Sequence, residues 1–358
     1  MYRFLKRLFN AIFDGTKGHL IQFFVAIRDK SEFRHERKKN AFKYDNEYKK
    51  EIKKYWRQFK VGINPMYHFQ YAVTNNKKDV RYIPDYLYYT KIMDYYSNRE
   101  LAIGVNDKNY YNLFFKNFKQ PRCVFRRISG LYYDENYKLI SADKALSLCK
   151  KYDELIFKPS IDNGSAYGIV FWNHEKDLND ILSSFNNKDF IVQEILKQHK
   201  DISKFNPTSL NTIRVTSFIF DNKVNILGAT LRMGVNNSRV DNACAGGIFT
   251  AVDVRTGKLK KVAYNAQGKR FDKHPNELNF SGNSIPNFDK LLTKVKETHE
   301  ALGHFRLISW DTTIDEKGEP VLIEANFRNG CPFLHQYDDG PLFGELTDQV
   351  LSEVFGRR

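Results

Sequence analysis

Two carboxylates and an amide stand close together in a predicted hairpin near the C-terminal end of the 358-residue chain. Asp311 lies in one apolar run, Glu324 and Asn326 lie in the next, and Lys317-Gly318 lies between the runs. Glycine adopts positive φ in tight hairpin turns, so a turn centred on this pair is predicted. Counting outward from it places Asp311 opposite Glu324, with Asn326 pointing to the same face.

Carboxylates that face each other across a ladder repel, so a sequence that places them within apolar strands favours a cation between them. Oxygen ligands without His or Cys suit Mg²⁺ or Mn²⁺ held together with substrate phosphates, rather than zinc. A surface hairpin with solvated acids is the alternative. Alternation favours the metal site, because Ile308, Trp310 and Thr312 take the face opposite Asp311.

A second candidate group surrounds Lys158, which ends the apolar strand Leu-Ile-Phe-Lys-Pro at residues 155–159. The loop that follows contains Gly164 and Gly168, where a backbone without side chains can approach a phosphate and donate N–H groups to its oxygens. Neither GxxxxGK[ST] nor GxGxxG is present. The loop alone also fits a plain hairpin turn, but an ammonium at the end of a buried strand requires an anion.

Two arginines lie in neighbouring predicted strands. Arg214 shares a face with Thr212 and Thr216 in an alternating strand, and Arg232 ends the next strand. Guanidinium forks suit phosphate or carboxylate. Either arginine alone fits a structural ion pair, whereas both together with Lys158 indicate a cationic phosphate cradle.

The elements that must position these groups belong to a globular chain long enough for two or more domains. Apolar residues make up 42% and aromatics 15%, which excludes a disordered chain. We predict a helical extension over residues 1–60, a small α/β region over 61–150 and a catalytic domain over 151–358. The four cysteines show no CxxC spacing, and there is neither a secretory signal nor an apolar run long enough to span a bilayer. A cytoplasmic protein is expected.

Most of the net charge of +15 lies in the extension, where 17 Lys and Arg face 7 Asp and Glu, a surplus of ten. Apolar residues recur at helical spacing in its first turns, with cations between them, which predicts an amphipathic basic helix. Residues 1–30 fit peripheral contact with the inner membrane face. They fit equally well packing on the rest of the chain. Nucleic acid is not expected, because no binding motif accompanies the charge.

Taken together, these residues resemble the ATP-grasp superfamily. The Lys-Pro strand, the glycine flap, the Gln193-Glu194 hinge and the Asp…Glu-x-Asn hairpin occur in its order. Lys158 to Glu194 spans 36 residues, Glu194 to Asp201 spans seven, and Asp311 to Glu324 spans thirteen, as in the D-alanine ligase type. The Asn-Thr-Ile-Arg-Val strand is similar to the sugar-transfer-associated, α-L-glutamate ligase-like branch. The resemblance implies an α+β fold in which two α/β subdomains grip ATP between antiparallel sheets.

The resemblance also implies roles for single residues. Lys158 would contact the α and β phosphates, and Arg232 and Arg214 would sit on the transferred phosphate. Two Mg²⁺ ions would bind the hairpin triad. The remaining nucleotide contacts would come from the flap, the hinge and the segment after it, at Asn163, Gly164, Ser165, Gly168, Gln193, Glu194, Lys197 and Asp201. Members of the family carry a second phosphate lysine upstream, where the predicted counterparts here are Arg126 and Arg127.

Enzymes of this kind phosphorylate a carboxylate with ATP and let an amine attack the acylphosphate. The resemblance therefore implies an ATP- and Mg²⁺-dependent ligase with carboxylate and amine substrates, linked to saccharides and to polysaccharide or capsule biosynthesis. Two alternatives stay open: a phosphotransferase that moves the γ-phosphate to a hydroxyl, and a non-catalytic nucleotide-binding protein at the membrane. Catalysis by positioning and charge neutralisation suits these residue types, since no protein nucleophile is needed.

Overall fold

The computed structural model describes residues 45–161, 168–186, 188–328 and 330–356 of the chain. These residues form two compact units. The first unit combines the described residues up to Asn98 with those from Arg328 onward, and the second runs from Arg99 to Phe327. The predicted boundary between residues 150 and 151 falls inside the second unit, where it separates a helix from a strand of one sheet.

The basic extension is described only from Asp45 onward, so the amphipathic helix predicted at its beginning lies outside the described residues. Within the described residues, no helix is both long and apolar enough to cross a membrane.

The first unit is helical. Its longest helix, Asn46–Arg57, begins where the Asp45 side chain accepts hydrogen bonds from the second and third helical N–H groups. Tyr48, Ile52 and Trp56 recur every four residues on its buried face. The other helices are Met66–Asn75, Asp85–Leu87, the π-helical turn Tyr88–Ile92, Met93–Tyr96, Phe333–Gln336, the 3₁₀ turn Gly344–Leu346 and Thr347–Gly356.

The second unit begins with the helix Arg99–Val105, the 3₁₀ turn Lys108–Tyr110 and the helix Tyr111–Phe114. Its first sheet then contains β1 (Cys123–Ile128), β2 (Leu131–Asp134), β3 (Leu139–Ile140), β4 (Glu154–Pro159), β5 (Val170–Asn173) and β6 (Phe190–Glu194). All pairs are antiparallel, in the order β3-β2-β1-β6-β4-β5. A core that includes Phe125, Phe157 and Phe190 covers one face, together with residues of the helices Ala142–Cys149 and Leu178–Ser184.

The second sheet of this unit contains β7 (Ile213–Phe220), β8 (Lys223–Met233), β9 (Ile248–Val252), β10 (Ala263–Asn265), β11 (Arg270–Phe271), β12 (Leu307–Ile314) and β13 (Pro320–Asn326). Its order is β11-β10-β9-β8-β7-β12-β13, again antiparallel throughout. The helix Phe288–Glu300 buries Leu291 and Val295 against one face. Two short segments complete the unit, the helix Lys200–Ser203 and the 3₁₀ turn Ala243–Ala245.

Alternation along the central strands of the second sheet separates two kinds of surface. Ile213, Val215, Leu231 and Trp310 lie in the core on the helix side and are all fully buried. Fully burying side chains of this size stabilises a fold by roughly 1.5–3 kcal/mol each. The polar residues between them must therefore share the opposite face, and this face holds the candidate site. The α+β architecture with two antiparallel sheets agrees with the sequence prediction.

Candidate active site

The predicted hairpin pairing is confirmed, although its turn differs from the prediction. Asp311 pairs with Glu324, and Ser309 pairs with Asn326, so the two carboxylates and the amide share one face. Close to the turn the register is shifted by one residue, and a bulge at Ile323 restores the pairing. The turn itself spans residues 315–319, closed by an Asp315 N–H to Glu319 O bond of 2.9 Å. The predicted two-residue turn is wrong, but the extra residue of the bulge compensates for the longer turn. The predicted pairing of Asp311 with Glu324 is therefore still correct.

Asp311 is held between the two predicted arginines. Arg214, its direct neighbour on β7, makes a two-pronged ion pair, with Nε 2.7 Å from Oδ1 and Nη2 2.7 Å from Oδ2. Arg232 Nη2 lies 3.1 Å from the same Oδ2. Burial would raise the pKa of Asp311, but the charges of Arg214 and Arg232 outweigh it and lower the pKa to about 2. The carboxylate therefore stays ionised inside the protein.

Arg232 is fixed by a group that the sequence analysis did not single out. Its Nε and Nη2 donate to Thr212 Oγ1 at 2.9 and 2.6 Å. Asp241 accepts hydrogen bonds from the N–H and the hydroxyl of Thr212 and lies 3.5 Å from Arg232 Nε. The guanidinium is thus pinned between two carboxylates, Asp241 and Asp311. Asp241 precedes a loop of small residues, and no local pattern marks it as a partner of a residue nine positions earlier.

Lys108 connects the two sheets at the site. Its backbone N–H donates to Ser160 O at 2.8 Å, where β4 has just ended, and its Nζ lies 2.9 Å from Glu324 Oε1 on β13. Both side chains are mostly buried. Ser160, two residues beyond Lys158, is therefore linked to the hairpin carboxylate through a single lysine. No motif in the sequence marks Lys108 as a site residue.

Lys158 lies on the face of the first sheet that is turned away from its core. It pairs with Ile191 on β6, whereas its neighbours Leu155 and Phe157 belong to the core. Alternation puts Ile156 and Gln193, which pair with each other, on the Lys158 face. A cationic side chain at the end of β4 thus accompanies an amide from the predicted hinge.

Glu194 has a different environment. It pairs with Leu155, so its side chain points to the core side of the sheet, opposite Lys158. There its carboxylate lies 3.4 Å from Arg122 Nη1. Of the predicted Gln-Glu hinge, Gln193 is therefore the side chain that the structure brings to the Lys158 face, and Glu194 is not.

The hinge segment after β6 crosses to the second sheet. Lys197 O accepts from Glu316 N–H at 3.0 Å, and His199 N–H donates to Ile314 O at 2.9 Å. These bonds attach the segment to the end of β12, three residues after Asp311. Asp201 follows in a short helix, with its side chain about half exposed and Oδ2 3.7 Å from His199 Nδ1.

Most of the predicted flap lies outside the described residues, including Asn163, Gly164 and Ser165. Gly168 is described and has a φ of 79°, in the left-handed region that favours glycine. A Cβ at this position would lie 3.0 Å from the Pro159 ring. Both the dihedral angle and the close approach to the residue after Lys158 therefore require glycine here.

Arg126 pairs with Ile191 on β6, as Lys158 does, and so lies on the Lys158 face of the first sheet, but its guanidinium is bound by residues around it. Its side chain is buried, with Nη1 2.6 Å from Asn109 O and 3.3 Å from Asn112 Oδ1, and Nη2 3.3 Å from Glu135 O. The guanidinium also lies 4.0 Å from the centre of the Tyr137 ring. These partners hold the start of the unit together, so the upstream cation beside Glu324 is Lys108. Arg127 Nη1 donates to a backbone carbonyl of Lys188 at 3.3 Å.

The donor atoms at the hairpin fit a hard divalent cation. Asp311, Glu324 and Asn326 each carry a side-chain oxygen on one face of the hairpin, and Asn326 Nδ2 lies 3.5 Å from Asp311 Oδ2. Within the described ranges, no group of three or more His, Cys, Asp or Glu side chains is arranged to hold a metal by itself. The set fits an ion that also takes oxygens from substrate phosphates, as Mg²⁺ does.

A model of the sugar-transfer associated ATP-grasp family matches residues 96–348. This range contains every described residue of the site. No sequence match to a curated protein was found.

Solved structures with a similar fold are distant in sequence. D-alanyl-alanine synthetase A from Vibrio cholerae is 14% identical, with a TM-score of 0.42 over 73% of this chain and 67% of that one. D-alanine-D-alanine ligase from Helicobacter pylori is 16% identical, with a TM-score of 0.40 over 71% and 62%. The ATP-grasp ligase PsnB, solved with a precursor variant, Mg and ADP, is 12% identical, with a TM-score of 0.41 over 72% and 61%. The chain thus spans about two thirds of the length of these structures.

Proposed function

Because the chain belongs to the sugar-transfer associated ATP-grasp family, we propose that it is an ATP- and Mg²⁺-dependent carboxylate-amine ligase that acts on a saccharide-linked substrate. The observation that carries the proposal is the position of Lys108. It is bonded through its backbone to Ser160 at the end of β4 and through its side chain to Glu324. These two contacts support placing the Lys158 end of one sheet and the acidic hairpin of the other in one site.

In this proposal the phosphates of ATP lie between the two sheets. Lys158 and Lys108 contact them, and Lys108 takes the upstream role first predicted for Arg126 or Arg127. Gln193 and the backbone from Glu194 to Lys197 contact the adenine, and Asp201 contacts the ribose. Bound Mg²⁺, held by Asp311, Glu324 and Asn326, would neutralise charge on the phosphate oxygens.

The arginines supply the electrostatic part of the chemistry. Arg214 and Arg232 are positioned before substrate arrives, because Asp311 and Thr212 bind them through hydrogen bonds of 2.6–3.1 Å. Donors that are already oriented need no reorganisation when negative charge develops on the transferred phosphate. The same groups stabilise transfer to a carboxylate and the departure of phosphate when an amine attacks. The protein need not supply a nucleophile.

The saccharide part of the proposal is supported by the family description alone. A uronic acid is the simplest carboxylate of that class, and an amino acid is the simplest amine. A phosphotransferase would use the same phosphate contacts on a hydroxyl. The products therefore decide between the two reactions.

The test measures ADP release by the full chain with ATP and Mg²⁺, using a panel of uronic acids and a panel of amino acids, separately and together. Release that requires one member of each panel, with formation of an amide, supports the ligase. Release with a single acceptor that becomes stably phosphorylated favours the phosphotransferase and contradicts the ligase. Glu324→Gln should abolish the activity. Lys290→Ala, which replaces an exposed residue of the helix Phe288–Glu300, should retain it.

We also propose that residues 1–30 attach the enzyme to the inner membrane face. The support is the charge of the first 60 residues, where 17 cationic side chains face 7 acidic ones. Anionic lipid surfaces attract such segments by about 1 kcal/mol for each basic residue near the surface. Deleting residues 1–30 should weaken binding to phosphatidylserine vesicles, and unchanged binding would contradict this proposal.

A further inference from the structure

The connection between β8 and β9, residues 234–247, contacts both sheets of the second unit. It leaves the second sheet at Met233 and returns to it at Ile248. On the way, Arg239 reaches the first sheet, where its Nη2 lies 2.5 Å from Glu154 Oε1 on β4. Its guanidinium carbon also lies 3.8 Å from the centre of the Phe171 ring on β5. One side chain thus makes both an ion pair and a cation–π contact with the opposite sheet.

Arg239 binds the same face of the first sheet that carries Lys158. Residues at even positions of β4, from Glu154 through Ile156 to Lys158, share the face turned away from the core. Phe171 pairs with Ile156 and therefore lies on this face as well. The pair is partly exposed, but it binds the strand that carries Lys158.

Two residues further along, Asp241 binds the opposite half of the site. Its Oδ2 accepts from Thr212 N–H at 3.0 Å and lies 3.5 Å from Arg232 Nε. Arg232 in turn lies 3.1 Å from Asp311. Only Val240 separates the residue that holds the first sheet from the residue that holds the arginine. A displacement of one is therefore transmitted directly to the other.

The connection has little room to deform. Around Arg239, Ser238 Oγ donates to Val240 O at 2.9 Å, and Ser238 O accepts from Asn206 Nδ2 at 2.9 Å. At its end, a Cβ on Gly247 would lie 2.4 Å from Asp241 O, so the backbone returns to β9 in close contact with itself. Both attachment points are thus supported by their own hydrogen bonds or packing.

We propose that residues 234–247 act as a strap that couples the two sheets, with Arg239 and Asp241 as positioning residues. Arg239 holds the Lys158 strand at a fixed separation from the second sheet. Asp241 makes the orientation of Arg232 depend on that separation. The inference deepens the proposed function, since it explains how the phosphate contacts of one sheet are kept in register with the arginines of the other.

The experiment measures the separation of the sheets directly. Spin labels on unnatural residues at Asn136, in the β2–β3 turn, and at Gln267, in the β10–β11 turn, report the distance between the two sheets in the full chain. Arg239→Ala should broaden the distance distribution and weaken ATP binding by about fivefold, as expected for one partly exposed ion pair with a cation–π contact. Arg270→Ala is the matched control, because it removes an exposed ion pair, to Asp272, within one edge of the second sheet.

A charge exchange completes the test. Arg239→Glu should broaden the distribution further, and adding Glu154→Arg should narrow it again. The proposed strap would be contradicted if Arg239→Ala had the same distance distribution as the wild type. It would also be contradicted if the double variant had a distribution as broad as that of Arg239→Glu. The distance measurement needs no nucleotide, so the strap can be tested even if the wild-type protein binds no ATP, a result that would contradict the proposed function instead.

Discussion

The two sheets of the second unit present their charged residues in different ways. In the second sheet, every residue of β12 is buried, and Asp311 is paired with two arginines with only 6% of its side chain exposed. In the first sheet, β4 is buried only at Leu155 and Phe157, and the charged residue Glu154 is 35% exposed and paired by a segment from elsewhere. In the second sheet, the ion pairs are buried and made within the sheet. In the first sheet, the ion pair of Glu154 is partly exposed and is made with the β8–β9 connection.

If the proposed nucleotide site is correct, the two sheets contribute to it differently. The arginines proposed to stabilise developing charge lie in the second sheet, where burial makes their orientation costly to change. Lys158, proposed to bind the ligand, lies on a strand of the first sheet that is only partly buried. Substitutions of the charged residues in the second sheet should therefore affect stability and turnover together. Substitutions in the first sheet should mainly affect nucleotide binding.

The largest effect is expected for Asp311→Asn. Removing the carboxylate breaks a buried ion pair with Arg214 and takes one of two carboxylates from Arg232, which costs about 3–5 kcal/mol of stability. Turnover should fall by a factor of about 100 or more, because the arginines lose their orientation. Urea unfolding and ADP release measure the two effects. An Asp311→Asn protein as stable as the wild type would contradict the claim that the buried ion pairs of Asp311 stabilise the second sheet.

Glu324→Gln is the counterpart to this substitution. Its carboxylate is 16% exposed and pairs with Lys108, so the cost in stability should be under about 2 kcal/mol. If both variants lost the same stability, the burial of Asp311 would not be the cause of its effect.

A pH effect should arise from the helix Phe288–Glu300, which packs on the second sheet. His299 is buried, its Nε2 donates to Phe305 O at 2.7 Å, and its Nδ1 accepts from the Ser217 hydroxyl at 2.6 Å. Burial lowers the pKa of His299 to about 4. Because the unfolded chain binds a proton near pH 6.5 and the folded protein does not, stability is present above that pH and is lost as the pH falls toward 4, by up to about 3 kcal/mol.

His299→Asn should make unfolding free energy depend less steeply on pH between 6.5 and 4. The exposed His304→Asn should leave the slope unchanged. The slope is measured by urea denaturation at a series of pH values. A slope in His299→Asn equal to that of the wild type would mean that the protonation of other groups governs acid unfolding.

Lys158→Met tests the contribution of the first sheet to nucleotide binding. Loss of one charge-assisted contact to phosphate should weaken Mg-ATP binding by about 10- to 100-fold, since such hydrogen bonds are worth about 1.5–3 kcal/mol. Stability should change by less than about 1 kcal/mol, because Lys158 lies outside the core of its sheet. Calorimetric titration measures the binding. Wild-type affinity in this variant would remove Lys158 from the site.

The smallest effect is expected for Lys290→Ala. The Lys290–Glu319 pair has the same 2.7 Å separation as the Arg214–Asp311 pair, but both of its side chains are 46% exposed. Water screens such a pair, so its loss should cost under about 0.5 kcal/mol. Because the two ion pairs have the same separation, a difference between the urea midpoints of this variant and Asp311→Asn measures the effect of burial on stability. Similar losses would contradict the role given to burial.

The sequence alone predicted the parts of the site that depend on alternation. A period of two placed Asp311, Glu324 and Asn326 on one face, and the structure confirms the pairing of Asp311 with Glu324. That Arg214 pairs with Asp311 was not predicted. The bulge at Ile323 was not predicted, because neither glycine nor proline marks it. Alternation also shows why Glu194, adjacent to Gln193, turns to the opposite side.

Contacts between distant segments were not accessible to such reasoning. Lys108 and Arg239 contact residues that are brought to them by packing of the two sheets, and Asp241 contacts Arg232 through the course of the β8–β9 connection. In the sequence they are single charged residues in loops or at helix starts, where most such residues are solvated. Arg126 shows the converse, since a charged residue in a strand became a buried structural group through contacts with Asn109 and Tyr137.

The central claim is that Lys158 on one sheet and Asp311, Glu324 and Asn326 on the other form one magnesium-dependent nucleotide site. Calorimetric titration of ATP into the wild type, Lys158→Met and Glu324→Gln, each with Mg²⁺ and with EDTA, tests it most directly. We expect tight binding only for the wild type with Mg²⁺, and each substitution should remove most of the gain that Mg²⁺ provides. Equal ATP affinity in the three proteins, with or without Mg²⁺, would contradict the claim.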